Sequence, residues 1–430
     1  MTIVVFIVVL LAAMMLGIPI AYSLLLSGLA LMFYLDLFDA QILAQNLIEG
    51  ANSFPLLAVP FFMLAGEIMN VGGLSKRIVN LALTLLGHIR GGLGYVAILA
   101  ACLMAALSGS AVADTAALGA LLLPMMVAAG HKRSTSGGLI ASAGIIAPII
   151  PPSIAFVVFG VATDVSIGKL FMAGIFPGLF MAIAIALTWY FIVAREAKTQ
   201  TERPLPKKAS SAERLKALKE STWALFLPVI VLVGLKMGIF TPTEAAVVAA
   251  VYALFVSMVI YREMTWAQLY EVFVSAAKTT ATVMFLVAAA MVSAYLITVA
   301  DVPGQVVELL GPLMDSPTLL LLAIMVICIL VGTAMDLTPT ILILAPVLVP
   351  VVKQAGIDPV YFGVLFVMNG VIGLITPPVG TVLNVMAGVG GMSVGAVSKG
   401  VLPFMLAQFA VLFLLVFFPS LVLVPLSWFY

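Results

Sequence analysis

Residues 143–153 read AGIIAPIIPPS, and residues 370–380 read GVIGLITPPVG. Both stretches are apolar enough for hydrocarbon, and each carries a proline pair in mid-run, Pro151-Pro152 and Pro377-Pro378. Proline lacks a backbone N–H, and its ring clashes with the carbonyl four residues back, so each pair must interrupt a helix. A chain that breaks two apolar segments in the same way has a use for the broken backbone.

The likeness extends outward from the prolines. Displaced by 226 residues, Pro124 falls on Pro350, Gly130 on Gly356, Gly137 on Gly363, Gly144 on Gly370, Gly174 on Gly400 and Pro177 on Pro403. Twelve of the 54 positions from 124 to 177 are identical, and eight of the twelve are Gly or Pro. Shared apolar composition would not align the breakers, which set the backbone path. The chain therefore reads as an internal duplication, residues 1–195 and 221–430, around a linker at 196–220.

The linker region, REAKTQTERPLPKKASSAERLKALKE (195–220), holds eight of the nineteen Lys and Arg residues and reads as a solvated connection. By the positive-inside rule it is cytoplasmic. Over the whole chain 64% of residues are hydrophobic and 9% charged, against roughly 45–50% and 25% in soluble domains. This is the composition of a polytopic membrane protein. The first Lys or Arg is Lys76, so the apolar run from Ile3 to Tyr34 reads as a retained span kinked at Gly17 and Pro19, not as a cleaved leader. An uncharged start outside and a basic linker inside give each half an odd number of crossings, hence inverted repeats. One amphipathic stretch per half, 74–92 and 265–280, reads as an interfacial helix rather than a span or a short connection.

Composition also excludes classes of function. A net charge of +1 offers nothing to nucleic acid or another polyanion. Cys102 and Cys328 are too few and too far apart for a disulfide framework or metal cage. No Walker, HExxH or GxSxG sequence is present, and His88 and His131 stand beside basic residues at span ends, so neither ATP hydrolysis nor intramembrane catalysis is indicated.

The segments 136–163 and 363–388 are each long enough to cross a bilayer once. Two paths are open to them: a kinked through-helix, or a re-entrant helical hairpin with its tip near mid-membrane. Because the device is repeated, the hairpin is the expectation. Either way the break leaves free carbonyls, which suit a cation, and a helix N-terminus, which suits an anion. Before each comes a second broken stretch, LSGSAVADTAALG (107–119) and VGTAMDLTPT (331–340), with hydroxyls and one carboxylate, Asp114 or Asp336. A carboxylate in an apolar run is costly and marks a cavity or partner, and such oxygens suit a hard cation. Against this, Ser and Thr also bond back within their own helices. Glu67 and Glu244 are weaker candidates, since Glu244 follows TPT, where capping suffices. No Arg stands in mid-membrane to clamp an anion, so substrate contacts fall to helix ends and to Ser153, Thr381 and Asn384.

SFPLLAVPFFMLAGEIMN (53–70), SGSAVADTAALG (108–119), GIIAPIIPPS (144–153), TPTEAA (241–246) and GLITPPVG (373–380) together resemble the large membrane subunit of TRAP (tripartite ATP-independent periplasmic) transporters, in the family's order. Within it the likeness runs to the subgroup associated with 2,3-diketogulonate, and that to sialic-acid members is looser. The resemblance implies an all-α elevator-type importer, with a scaffold and a transport domain, in the bacterial inner membrane. It implies coupling to Na⁺, an organic acid anion as substrate, a small four-helix membrane partner and a periplasmic substrate-binding protein. Carried over, one cation site would use Ser108, Ser110 and Asp114 with backbone oxygens near Ala147, Ile150 and Pro152. The other would use Gly332, Thr333 and Asp336 with Gly373, Thr376 and Pro378. Ala147 departs from the family's usual Gly, which touches close packing but not a carbonyl donor. A partner-independent anion transporter of similar architecture is the alternative, and a channel suits paired hairpins less well.

Overall fold

The computed structural model describes residues 2–196, 208–333 and 335–429. Among these every regular element is helical, and eight helices are long and apolar enough to cross a membrane. The repeat seen in the breakers is a repeat of elements. Helices Gly92–Ser108, Ala111–Ala128, Arg133–Gly144, Ile154–Thr163 and Ile167–Glu196 recur, 225 to 227 residues later, as Pro317–Gly332, Leu337–Gln354, Pro359–Gly373, Thr381–Gly390 and Val394–Phe417. Packing is reciprocal. Arg133–Gly144 lies on Val394–Phe417, as Pro359–Gly373 lies on Ile167–Glu196. Ala111–Ala128 lies on Thr381–Gly390, as Leu337–Gln354 lies on Ile154–Thr163. Such an exchange of partners is the mark of two copies related by a two-fold axis.

The hairpins, however, are not at the prolines. Gly92–Ser108 and Ala111–Ala128 are joined through Gly109, which turns the chain at φ +61°, and the two helices pack together. Pro317–Gly332 and Leu337–Gln354 also pack together. The helices flanking each proline pair are not packed side by side. Instead Arg133–Gly144 lies beside Thr381–Gly390, and Ile154–Thr163 beside Pro359–Gly373. That is the arrangement of two antiparallel through-helices, each interrupted midway. The hairpins expected at 136–163 and 363–388 are therefore corrected to the elements immediately before them. The physical reason is that a proline pair ends hydrogen bonding without reversing the chain. Legs of 10 or 12 residues, about 15–18 Å long, offer each other little surface, whereas the helices of 17 and 18 residues before them do pack.

Three other expectations change. The run 3–34 is two helices, Thr2–Met15 and Ile20–Tyr34, packed together across a turn at Gly17. The stretch 265–280 is no separate element. It is the start of the 34-residue helix Trp266–Val299, opened by a Thr265–Gln268 capping box. At about 1.5 Å per residue that helix outruns a ~30 Å hydrocarbon core, so an amphipathic first third fits its overhang. In the linker, 197–207 lie outside the described residues, but the next helix, Ser211–Lys236, already begins within the expected connection, because Ser210 and Glu213 form a reciprocal cap. Leu74–Leu86 is a separate amphipathic helix as expected, packed on Ser211–Lys236, with the Ser221 hydroxyl donating to the Arg77 carbonyl at 3.0 Å.

If the halves run oppositely through the bilayer, equivalent loops after the two hairpins face opposite sides. Lys132 is exposed in the first of these loops, and Gln354, the last residue of its helix, is exposed at the edge of the second. In a cysteine-free background, Lys132→Cys is expected to react with an impermeant thiol reagent only from the cytoplasmic side and Gln354→Cys only from the periplasmic side. Labelling of both from one side would refute the inversion.

Candidate functional site

Each hairpin tip meets the break in one through-helix. In the first, a Cβ added to Gly109 would stand 2.7 Å from the Pro152 carbonyl oxygen, so tip and break touch backbone to backbone. Pro151 and Pro152 cannot donate to the carbonyls of Ala147 and Pro148, four residues back. The Pro148 carbonyl is taken up by the Ser153 hydroxyl at 2.5 Å, and the same hydroxyl accepts from the Phe156 amide at 3.2 Å, capping the second half-helix. Ser108 donates to Asp114 Oδ1 at 2.6 Å, and Ser110 caps its helix by accepting from the Ala113 amide. Asp114 is 0% exposed, and its Oδ2 is buried with no hydrogen-bond partner.

In the second, a Cβ on Gly373 would stand 2.8 Å from the Gly332 carbonyl oxygen, and the Val379 amide donates to the Thr333 carbonyl at 3.4 Å. The Leu374 carbonyl, orphaned by Pro378, accepts from the Val382 amide. Asp336 is the N-cap of Leu337–Gln354, accepting from the Leu337 amide at 2.9 Å, and the Thr381 hydroxyl lies 3.5 Å from its Oδ1. Thr376 and Thr333 donate to the carbonyls of Ile372 and Leu330. Those hydroxyls hold their own helices, and their oxygens still have acceptor capacity.

The structure thus brings together Ser108, Ser110 and Asp114 with the 147–152 turn, and Gly332, Thr333 and Asp336 with the 373–378 turn. The roles of tip and break are exchanged relative to the expectation. Two details were missed. The 226-residue displacement aligns Ser110 with Asp336, both N-caps, and Asp114 with Thr340, both in the first turn. Carboxylate and hydroxyl are therefore swapped between the two sites, a signal already present in the sequence. Thr115 is the other omission, its hydroxyl buried without a partner and pressed against Gly144. Of the substrate candidates, Thr381 is half-buried and Asn384 exposed at the start of one helix. Ser153 is 0% exposed and committed to its cap, so it is not free to touch a substrate. Glu244 is a cap residue, as its position suggested. Glu67 accepts a hydrogen bond from Ser275 at 3.3 Å, and its neighbour Gly66 lies against Ser108.

A hard cation fits the first set. A buried carboxylate oxygen with no donor must be neutralised, by a cation or by a proton, and the Ser108 hydroxyl stands beside it. The second set has the same kinds of donor around an exposed carboxylate.

Residues 7–421 match the family model described as the tripartite ATP-independent periplasmic transporter, DctM component. The chain is 57% identical, over 100% of both proteins, to the 2,3-diketo-L-gulonate TRAP transporter large permease YiaN of Escherichia coli. It is 40% identical to the sialic acid large permease SiaM of Vibrio cholerae, over 95% of this chain and 94% of that one. It is 39% identical to the C4-dicarboxylate large permease DctM of Pseudomonas aeruginosa, over 90% and 89%. Among solved structures it resembles the Alcanivorax borkumensis YdaH transporter with a TM-score of 0.65 over 88% of this chain and 89% of that one. At 17% identity that likeness concerns the fold alone.

The contact at Gly373 can be tested by stability. Gly373→Ala forces its Cβ toward the Gly332 backbone, which cannot swing away as a side chain would. Overpacking of this kind costs about 1–3 kcal/mol. The purified variant is expected to melt several degrees below the parent in detergent. At the aligned position, Ala147→Gly should cost about 1 kcal/mol or less. Equal melting of Gly373→Ala and the parent would remove the close approach.

Proposed function

We infer the function from one premise: the chain belongs to the family of the DctM component of tripartite ATP-independent periplasmic transporters. It is accordingly a large permease subunit and a multi-pass membrane protein. Its proposed task is the uptake of a small organic acid across the bacterial inner membrane, driven by a Na⁺ gradient. It would work with a small membrane subunit and a periplasmic binding protein that delivers the substrate. The relatives' names span a keto-sugar acid, sialic acid and C4-dicarboxylates. The high identity to the 2,3-diketo-L-gulonate permease favours the sugar-acid class.

The observation that carries the cation part is Asp114, fully buried, with one oxygen held by Ser108 and the other unpaired. Such a carboxylate is tolerable in an apolar interior only when neutralised. Ser108, Ser110 and Asp114 with the carbonyls of the 147–152 turn would hold one Na⁺. Gly332, Thr333 and Asp336 with those of Gly373, Thr376 and Pro378 would hold the other. With both tips charged, the N-termini of Ala111–Ala128 and Thr381–Gly390, which pack side by side, favour an anion between them. Thr381 and Asn384 stand at that end and would meet the substrate's oxygens. Tips and breaks share backbone contacts, so they would move as one body against the scaffold made by Phe54–Val71, Pro242–Ile260 and the helices around them. Such motion is elevator-like alternating access.

Removing the charged ligand of a desolvated cation costs on the order of 2–5 kcal/mol, by analogy with truncating a buried charge pair. That is roughly 30-fold or more in affinity. In proteoliposomes containing the whole transporter, Asp114→Asn is expected to raise the Na⁺ concentration for half-maximal uptake by at least that factor, and Asp336→Asn, whose carboxylate is exposed, by a smaller one. Unchanged Na⁺ dependence in both well-folded variants would remove the sites, and uptake driven equally by a proton gradient without Na⁺ would remove the coupling.

A further inference from the structure

The two tip-and-break junctions are built on the same backbone but have unequal access to solvent. Every residue from Ala141 to Ser153 is buried, whereas Pro377, Pro378 and Val379 of the aligned turn are exposed. Ser153 is 0% exposed and its counterpart Val379 is 42% exposed. Asp114 is fully buried and Asp336 exposed. One helical turn further, Ala155 and Val158 are core residues, and their counterparts are the half-buried Thr381 and the exposed Asn384. Asp336, Thr381 and Asn384 place polar groups beside the exposed Pro377, Pro378 and Val379, so the opening there carries groups that water can hydrate.

The swap of carboxylate and hydroxyl accounts for the difference. In the first repeat the charge stands in the first turn of the helix, behind the cap, where the Thr340 hydroxyl stands in the second. In the second repeat the charge is the cap itself, at the tip. A cation leaving a site must regain its water as its ligands let go. Water reaches the second junction in this conformation, and reaches the first only if the packed turn 145–153 opens.

We propose that the two cation positions exchange unequally: in this conformation the one at Asp336 fills last and empties first, while the one at Asp114 stays sealed. The substrate-contacting residues cluster at the second junction, so the exchanging cation is the one that senses the substrate. The proposal rests on the cation reading above and goes beyond it in assigning an order and a cause.

Thiol accessibility tests it without relying on transport. In the assembled transporter, with Cys102 and Cys328 replaced by Ala, Val379→Cys and Ser153→Cys occupy equivalent positions. The Val379 variant is expected to react with a small hydrophilic methanethiosulfonate and to be slowed several-fold when Na⁺ replaces K⁺. The Ser153 variant is expected to react at least ~100-fold more slowly, because it waits on local opening. Since Ser153 caps a helix, Thr381→Cys and Ala155→Cys provide a second pair with the same expected order. Equal rates within both pairs, with Na⁺ protection retained, would overturn the inequivalence alone. Unequal rates with no effect of Na⁺ at either Val379 or Thr381 would overturn the cation reading and the proposal with it.

Discussion

A backbone carbonyl deprived of its helical donor within an apolar bilayer is the constraint on which this molecule turns. Each such group costs several kcal/mol unless another partner is found. The proline pairs remove the helical donors of Ala147 and Pro148, and again of Gly373 and Leu374, though the Gly373 carbonyl still accepts from the Thr376 amide at 2.9 Å. The chain answers part of the cost locally. The Ser153 hydroxyl takes the Pro148 carbonyl, and the Val382 amide takes that of Leu374. A hairpin tip also packs against each break, Gly109 on Pro152 and Gly332 on Gly373, and the Val379 amide donates to the Thr333 carbonyl. A tip packed backbone to backbone on a break cannot move independently of it. The two hairpins and two through-helices are thereby tied into one body, and whatever moves in transport must move at its edge.

The same constraint explains which residues repeat. Of the aligned glycines, Gly130 and Gly356 make left-handed turns, Gly174 and Gly400 meet neighbouring backbone, and the others make room mainly for packed side chains. A Cβ on Gly400 would stand 1.9 Å from the Ser134 carbonyl, and one on Gly174 would stand 2.4 Å from that of Ile149. Gly130 and Gly356 turn their helix ends at φ +91° and +73°. Side chains between these points have drifted, because many apolar residues fill the same volume, while the path has not. The duplication was legible for that reason, and with it the helical class and the residues that meet at the two junctions.

Chain direction was less legible. Pro151-Pro152 states where helical hydrogen bonding stops but not whether the following helix continues or returns. That is decided by which faces pack, and no pattern within 136–163 alone carries it. The tip at 108–110 was recognised as broken, yet its role as a reversal lay in the conformation of Gly109 and the fit of two long legs. The kink expected at Gly17 failed for a similar reason, since a short glycine turn can either bend a helix or fold it on itself. Ser153 was read as a polar group near a helix end, which it is. Its hydroxyl is consumed by the very orphan carbonyl that made the region interesting. Asp114 and Asp336 were paired by residue type, although the 226-residue displacement pairs each with a hydroxyl.

That last misalignment bears on how such a symmetric frame can work. If the repeats exchanged conformations to open alternately, residue types at aligned positions would need to be interchangeable, and the sites would tolerate equal burial and equal exposure in turn. Here the charge sits behind the cap in one repeat and on the cap in the other. The flanking helix is apolar at Ala155 and Val158 in one and polar at Thr381 and Asn384 in the other. Exposing Asp114 as Asp336 is exposed would also bare Ala155 and Val158 to water, and burying Asp336 would strand Thr381 and Asn384 without it. Both carry a penalty with no return. The two-fold axis thus survives in the backbone as a way of building two junctions, while the side chains fix one as closed and the other as open. Under the proposed uptake, a body with junctions so specialised would gain access to both sides of a membrane by moving as a whole.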